Sequence, residues 1–256
     1  MAKGRPWSRD ELVVAMNLYC KLPFGQLHER NPVIIKLAKQ LGRTSGSVAM
    51  KLCNFASLDP VQQARGIKGL SGASQADREV WTDFHKDWDK LAFESERGLA
   101  KLEGVPVEKF ARIEESELPR EGREREAVVK QRVNQCFFRS AVLAAYGGRC
   151  CVTGLELTEL LVASHIIPWS VSKEHRVNPR NGLCLNALHD RAFDGGFVTL
   201  TLDFRLEVSP RVARAASTHA KDWLLDFDKA PIRLPERFAP DPECIGWHRQ
   251  HVFQAE

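Results

Sequence analysis

The 256-residue chain has no C-x-x-C pair, so the thiolate knuckle of a zinc ribbon is missing. Its seven cysteines (Cys20, Cys53, Cys136, Cys150, Cys151, Cys184 and Cys244) are odd in number and irregular in spacing. They give no sign of a disulfide framework and read as buried thiols in a reducing compartment. No apolar run approaches the length that spans a bilayer. The start, Met1-Ala2-Lys3-Gly4-Arg5-Pro6-Trp7, lacks the apolar core of a signal peptide, so the expected location is the cytoplasm, with no membrane partner. There is no internal repeat. Charge is not lopsided either: the net value is +4, with a pI near 8.7, which permits a polyanionic partner without requiring one.

What is present is unevenly distributed. Residues 1–60 carry nine basic side chains (Lys3, Arg5, Arg9, Lys21, Arg30, Lys36, Lys39, Arg43, Lys51) against four acidic ones (Asp10, Glu11, Glu29, Asp59). Such an excess is either a solvated surface or a nucleic-acid footprint. Ser8-x-x-Glu11 is a capping box, followed at helical spacing by Leu12, Ala15, Met16 and Tyr19. A second helix is expected from Pro32 to Leu41, stopped by Gly42, and a third after Thr44 or Ser45, with Val48, Leu52 and Phe55 on one face. One long helix is expected over Gln75 to about Leu102, with the stripe Val80, Phe84, Trp88, Leu91. Residues 103–126, with few apolar side chains and a mixed-charge run, read as a linker or an exposed helix start. Another helix is expected from Val128 to Tyr146, then short strands, with a β-hairpin over Phe197–Ser209 turning at Asp203. The fold class is α+β: a helical domain over 1–102, a charged linker over 103–126 and a second domain over 127–256.

The stretch from Ile34 to Leu52 has helix-turn-helix form, with a Gly-containing turn before a helix of polar start. It is expected to place Arg43, Thr44, Ser45, Ser47, Lys51 and Asn54 on or near an exposed side. Helix N-termini and hydroxyls suit phosphates, and Arg and Asn suit base edges. A plain three-helix bundle would show the same pattern. Trp7 and Phe24 could line a modified-base pocket, or pack in the core. The segment resembles the N-terminal modules of many bacterial restriction-type endonucleases.

The chemistry concentrates between Cys150 and Gly196. Tyr146 to Gly154 reads as a strand and tight turn, Leu160 to Trp169 as a strand delivering His165, and Asn178 to Leu185 as a loop and short strand carrying Asn181. Asn186 to Asp194 reads as a short helix carrying His189. Two short strands and a helix can bring His165 and His189 to one point.

The phrases Ser164-His165-Ile166-Ile167-Pro168-Trp169, Asn181-Gly182-Leu183-Cys184-Leu185 and His189-Asp190-Arg191-Ala192-Phe193-Asp194 resemble the HNH endonuclease family, in the branch without zinc-binding cysteine pairs. Similarity extends from about Gln131 to Phe253, including Trp247-His248-Arg249-Gln250-His251. The resemblance implies a ββα-metal finger and a divalent ion, Mg²⁺ first and otherwise Mn²⁺, Ni²⁺ or Zn²⁺. It makes His165 the general base, His189 a metal ligand and Asn181 the residue that fixes the loop and His165. A neutral imidazole suits the base role because its pKa lies near neutrality.

The chain departs from the family at Ser164, where an aspartate, glutamate or histidine commonly binds the metal. Ser164 is a feeble ligand. Asp194 is the oxygen donor expected to complete the site, with capping of the Gly195-Gly196 turn as its alternative role. Arg139, Arg176, Arg180 and Arg191 could clamp phosphates, Arg191 and Arg180 foremost, or be ordinary surface arginines. His28, His85, His175, His248 and His251 carry no motif role. The expected function is a restriction-type nuclease acting on double-stranded DNA. A homodimer would suit that function, since one such site cuts one strand, although no dimerisation motif is visible. A toxin or another HNH nuclease, or a DNA-binding regulator that has lost activity, are the rival readings.

Overall fold

Ser8 sets the first helix. Its hydroxyl accepts the Glu11 N–H at 3.3 Å, while the Glu11 carboxylate accepts the Ser8 N–H at 2.9 Å. The computed structural model describes residues 5–66, 72–215 and 218–256, so Lys3 of the basic excess lies outside the described residues. The chain divides into two compact units, Met1–Ala141 and Val142–Glu256.

The first unit is helical: α1 (Arg9–Lys21), α2 (Pro32–Leu41), α3 (Ser45–Leu58), α4 (Pro60–Ala64), α5 (Gln75–Lys86), α6 (Trp88–Glu103), α7 (Val107–Phe110) and most of α8 (Gly122–Ala145). Every residue of α1 from Glu11 to Cys20 is buried, because α3, α5 and α6 all pack against it. Such burial on all sides demands that its polar groups be matched. Asn17 donates to Ser95 at 2.7 Å and to Glu96 at 2.8 Å, and the Tyr19 hydroxyl donates to Asp59 at 2.9 Å. Asn31 caps α2, and Gly42 ends it in the left-handed region at φ 62°.

Two expectations need correction here. The single helix over Gln75 to Leu102 is two helices, divided at Asp87. That residue leaves helical geometry (φ −150°, ψ 80°) and its carboxylate accepts the Lys90 N–H at 2.9 Å, capping α6. The segment 103–126 is not a bare linker. It holds α7, a short 3-10 helix (Glu115–Glu117) and the start of α8, and Leu118 packs with Val129 and Val133 against Val107, Ala111 and Ile113.

Glu11 also ties the chain ahead of α1 to the turn after α2. It accepts from Arg43 at 2.7 Å and from Arg5 at 2.6 Å. Burial by itself would raise its pKa. The Arg43 hydrogen bond, the Ser8 N–H and Arg5 overcome that and hold the carboxyl down at about 2, from 4.5. A depressed folded-state pKa means stability that is present above pH 4.5 and is lost as pH falls towards 2. The amount is up to about 3 kcal/mol. Urea unfolding at about pH 5 and about pH 2.5 checks this: wild type is expected to lose more stability between them than Glu11→Gln, and equal losses would count against it.

The second unit mixes small sheets with helices: β1 (Leu161–His165), β2 (Gly182–Asn186), α9 (Ala187–Asp194), β3 (Val198–Leu200), β4 (Leu206–Val208), α10 (Pro210–Ala215), α11 (Thr218–Trp223) and α12 (Pro242–His251). β1 pairs antiparallel with β2, and β3 with β4, with Thr199 opposite Glu207. The mixture is that of an α+β protein. Tyr146 to Gly154 forms no strand: it is a turn closed by the Gly154 N–H donating to the Cys150 carbonyl at 2.9 Å, while the Cys151 N–H donates to the Cys184 carbonyl of β2 at 2.7 Å. Gly196, at φ 71°, is required where it stands, since a Cβ there would lie 2.1 Å from the Val252 carbonyl oxygen. That close approach seats the tail against the end of α9, where the Gln254 N–H donates to Gly196 at 2.9 Å. Among the described residues no helix is long and apolar enough to cross a membrane.

Candidate active site

β1 ends on His165, which stands opposite Gly182 of β2, and α9 packs on both strands. The loop after β1 folds back on the residue before β2. Asn181, wholly buried in a short 3-10 helix (Pro179–Asn181), is the joint. Its side-chain oxygen accepts the Ile167 N–H at 2.8 Å, and its amide donates to the carbonyls of Ile167 at 3.0 Å and His175 at 3.2 Å. Its own carbonyl accepts the Ile166 N–H at 2.9 Å. One asparagine thus does the work of a short β-ladder for the loop 166–175.

The end of that loop holds His165. Its Nε2 lies 2.8 Å from the Arg176 carbonyl, an acceptor, so Nε2 carries the hydrogen and, in the neutral ring, Nδ1 carries the lone pair. Burial lowers the His165 pKa, opposed by the Arg176 carbonyl, and the ring is therefore neutral near pH 7. Arg176 is itself fixed, donating from Nε to the Trp169 carbonyl at 2.6 Å with its guanidinium over the Trp169 ring at 5.4 Å. Trp169 meets His165 edge-on at 5.7 Å.

His189 lies in the first turn of α9 and is 2% exposed. Asn186 caps the helix by accepting the His189 N–H at 2.9 Å, and the same oxygen accepts from Nδ1 at 3.0 Å. With Nδ1 donating, Nε2 presents its lone pair, and Nε2 is buried with no hydrogen-bond partner among the described residues. Burial lowers the His189 pKa, an effect opposed by the Trp223 backbone. The Phe227 ring stands edge-on to the imidazole at 5.5 Å.

Ser164 is buried on β1 and lies beside Asp190, whereas Asp194 is exposed at the last turn of α9. Asp194 is five residues beyond His189, about 140° round the helix from it. Burial raises the Asp194 pKa, as does the charge of Asp190 one turn away. Among the described residues no group of three or more His, Cys, Asp or Glu side chains is arranged to hold a metal ion. A lone buried imidazole nitrogen facing no donor nevertheless fits a cation whose remaining ligands are water and phosphate.

The residues expected to read DNA divide. Thr44 caps α3, accepting the Ser47 N–H at 3.2 Å, and Thr44, Ser45 and Ser47 keep access to solvent at the start of the helix. Arg43, Lys51 and Asn54 do not face outwards as expected. The Arg43 side chain is 6% exposed, held by Glu11 and by the carbonyls of Arg5 and Pro6, and its guanidinium lies 4.1 Å from the Trp7 ring. Lys51 donates to both oxygens of Asp77 at 2.9 Å, and Asn54, 4% exposed, donates to the same carboxylate at 3.2 Å. The buried Asp77 on α5 draws both inward. Trp7 is thereby occupied by cations of its own chain, and Phe24 lies 5.8 Å from the Arg65 guanidinium. Arg180 pairs with Asp241 at 3.0 Å, and Arg191 is exposed on α9. His248 is structural, stacked on Phe193 at 3.8 Å, bonded to Thr199 at 2.8 Å, and pushed down to about 4 by burial.

Three contributors carry no motif of their own. Arg176 acts through its backbone, which no side-chain pattern reveals. Asn186 stands three residues before His189, where an N-cap is expected, and that signal could have been read. Asp190 passes for an ordinary acid of a helix's first turn.

Residues 150–201 match the model of a family described as HNH endonuclease. No relative is found among curated proteins. A solved structure titled "Modification dependent TagI restriction endonuclease" is similar over 46% of this chain and 38% of its own, at 20% identity and a TM-score of 0.33. That likeness spans less than half of either chain. The family match covers β1, β2 and α9 with His165, Asn181 and His189, and the chain thus carries an HNH endonuclease domain at residues 150–201.

Proposed function

We propose that the protein is a metal-dependent DNA endonuclease of restriction type, in which His165 is the general base and His189 holds the metal. The observation that carries this reading is the complementary pair of imidazoles. His165 is fixed through Nε2, which leaves Nδ1 basic, and His189 through Nδ1, which leaves Nε2 for a ligand. Nδ1 of His165 takes the proton of the attacking water, and the Arg176 carbonyl steadies the imidazolium that results. Asn181 keeps the loop, and with it the Arg176 carbonyl, in place. His189 would hold a divalent ion through Nε2, and that ion would supply Lewis-acid stabilisation of charge on the phosphate. Arg191, exposed on α9, and Arg180 suit phosphate contacts. In the helical unit, the start of α3 with Thr44, Ser45 and Ser47 is the face proposed to meet DNA. Two copies would cut two strands.

A DNA-binding regulator without activity is the second reading, favoured by Ser164 in place of a ligand. Incubation with plasmid DNA, unmodified, methylated or hydroxymethylated, in Mg²⁺ or Mn²⁺ separates the two. Nicking or linearisation of at least one substrate, abolished by chelator, is expected. Intact plasmid in every case would leave the regulator.

A further inference from the structure

β1 offers the metal only Ser164, a neutral hydroxyl, where a hard cation favours charged oxygen. Yet Ser164 is 2% exposed, and its Oγ has no hydrogen-bond partner among the described residues. A buried hydroxyl in that state is uncommon and asks for a ligand. His189 repeats the pattern, 2% exposed with Nε2 unpartnered. β1 and α9 pack on one another, and each carries one orphaned polar atom. Between them in the chemistry stands Asp190. It is half-buried in the first turn of α9, next to His189 in sequence; burial raises its pKa, while the adjacent Ser164 hydroxyl favours the ionised form. The helix N-terminus likewise favours a carboxylate at that position.

We propose that Asp190, and not Asp194, is the second protein ligand of the divalent-metal site, delivering from α9 the carboxylate that β1 lacks. The inference rests on His189 as the first ligand. Asp194 lies in the last turn and is exposed, whereas Asp190 is half-buried in the first turn with His189. Asp190 lies against the very side chain whose place a β1 carboxylate would take. The ligand has thus moved between elements while the oxygen stays at the same junction.

Mn²⁺ binding by the full chain without DNA, followed by the loss of the free-ion electron paramagnetic resonance signal, tests this. Asp190→Asn is expected to weaken binding at least about tenfold, Asp194→Asn to leave it unchanged, and His189→Ala to lose it. Ser164→Asp placed in the Asp190→Asn background is expected to restore it, because the carboxylate returns to the same space from β1. Circular dichroism checks each fold, and Asp190→Ser replaces Asp190→Asn if the latter does not fold. If Asp190→Asn binds as wild type while His189→Ala does not bind, Asp190 is overturned and the metal site stands. Loss of binding in Asp194→Asn overturns Asp190 equally. If wild type binds no Mn²⁺, or His189→Ala binds as well as wild type, the metal-site reading fails and Asp190 falls with it.

Discussion

Replacing His165 by alanine is expected to slow DNA cleavage by about 10²- to 10⁴-fold, the contribution of a positioned general base. The expectation follows from how the ring is held. Nε2 is committed to the Arg176 carbonyl at 2.8 Å, so only Nδ1 can receive a proton. Burial lowers the pKa and the Arg176 carbonyl opposes it, leaving a neutral ring near pH 7. Alanine cannot take a proton, and water alone is a poor nucleophile. The substitution leaves the β1–β2 ladder intact, since His165 pairs with Gly182 through the backbone. Cleavage rates at saturating Mn²⁺, compared with melting temperature and Mn²⁺ affinity, make the check. A rate within tenfold of wild type, in a folded and metal-loaded variant, would sink the base assignment.

The parts of this site that sequence made legible are those written in side-chain chemistry and local spacing. Ser8 and Glu11 announce α1, Asn31-Pro32 and Gly42 bracket α2, and the order His165, Asn181, His189 announces the strand, loop and helix of the domain at 150–201. What escaped was decided by tertiary contact. The stripe Val80, Phe84, Trp88, Leu91 keeps helical spacing straight through the break at Asp87, because both helices bury it on the same core. Nothing periodic marks a break made by one capping carboxylate. A helical wheel puts Lys51 and Asn54 outside, and only the arrival of Asp77 from α5 turns them in. Val107 and Ile113 look too sparse for a core until Val129 and Val133 are set against them. At the candidate active site, the Arg176 carbonyl is invisible for a simpler reason: every residue has one, and only the fold decides which of them meets His165.

Asn181→Ala is expected to destabilise the second unit by about 3–4 kcal/mol, because three bonds go and their partners stay buried. The Ile167 N–H loses the oxygen at 2.8 Å, and the carbonyls of Ile167 and His175 lose the amide at 3.0 and 3.2 Å. No water reaches a side chain that is 0% exposed, so the loss is not made good from solvent. Asn181→Asp is the stricter variant. It keeps the acceptor for Ile167 and turns the amide into a second oxygen facing two carbonyls, so it is expected to fare no better than alanine. Urea unfolding followed by the fluorescence of a variant that keeps Trp169 as its one tryptophan reads the loop, since Trp169 lies within it and against His165. A loss under about 1 kcal/mol would mean the loop is held by other contacts. The same substitution separates positioning from chemistry. Asn181 touches neither imidazole in its hydrogen bonds and acts on His165 through the loop that ends at the Arg176 carbonyl. At temperatures where the variant is folded, cleavage is therefore expected to fall in the His165 background and to fall no further once His165 is alanine. Full additivity of the two losses would place Asn181 in a role independent of the base.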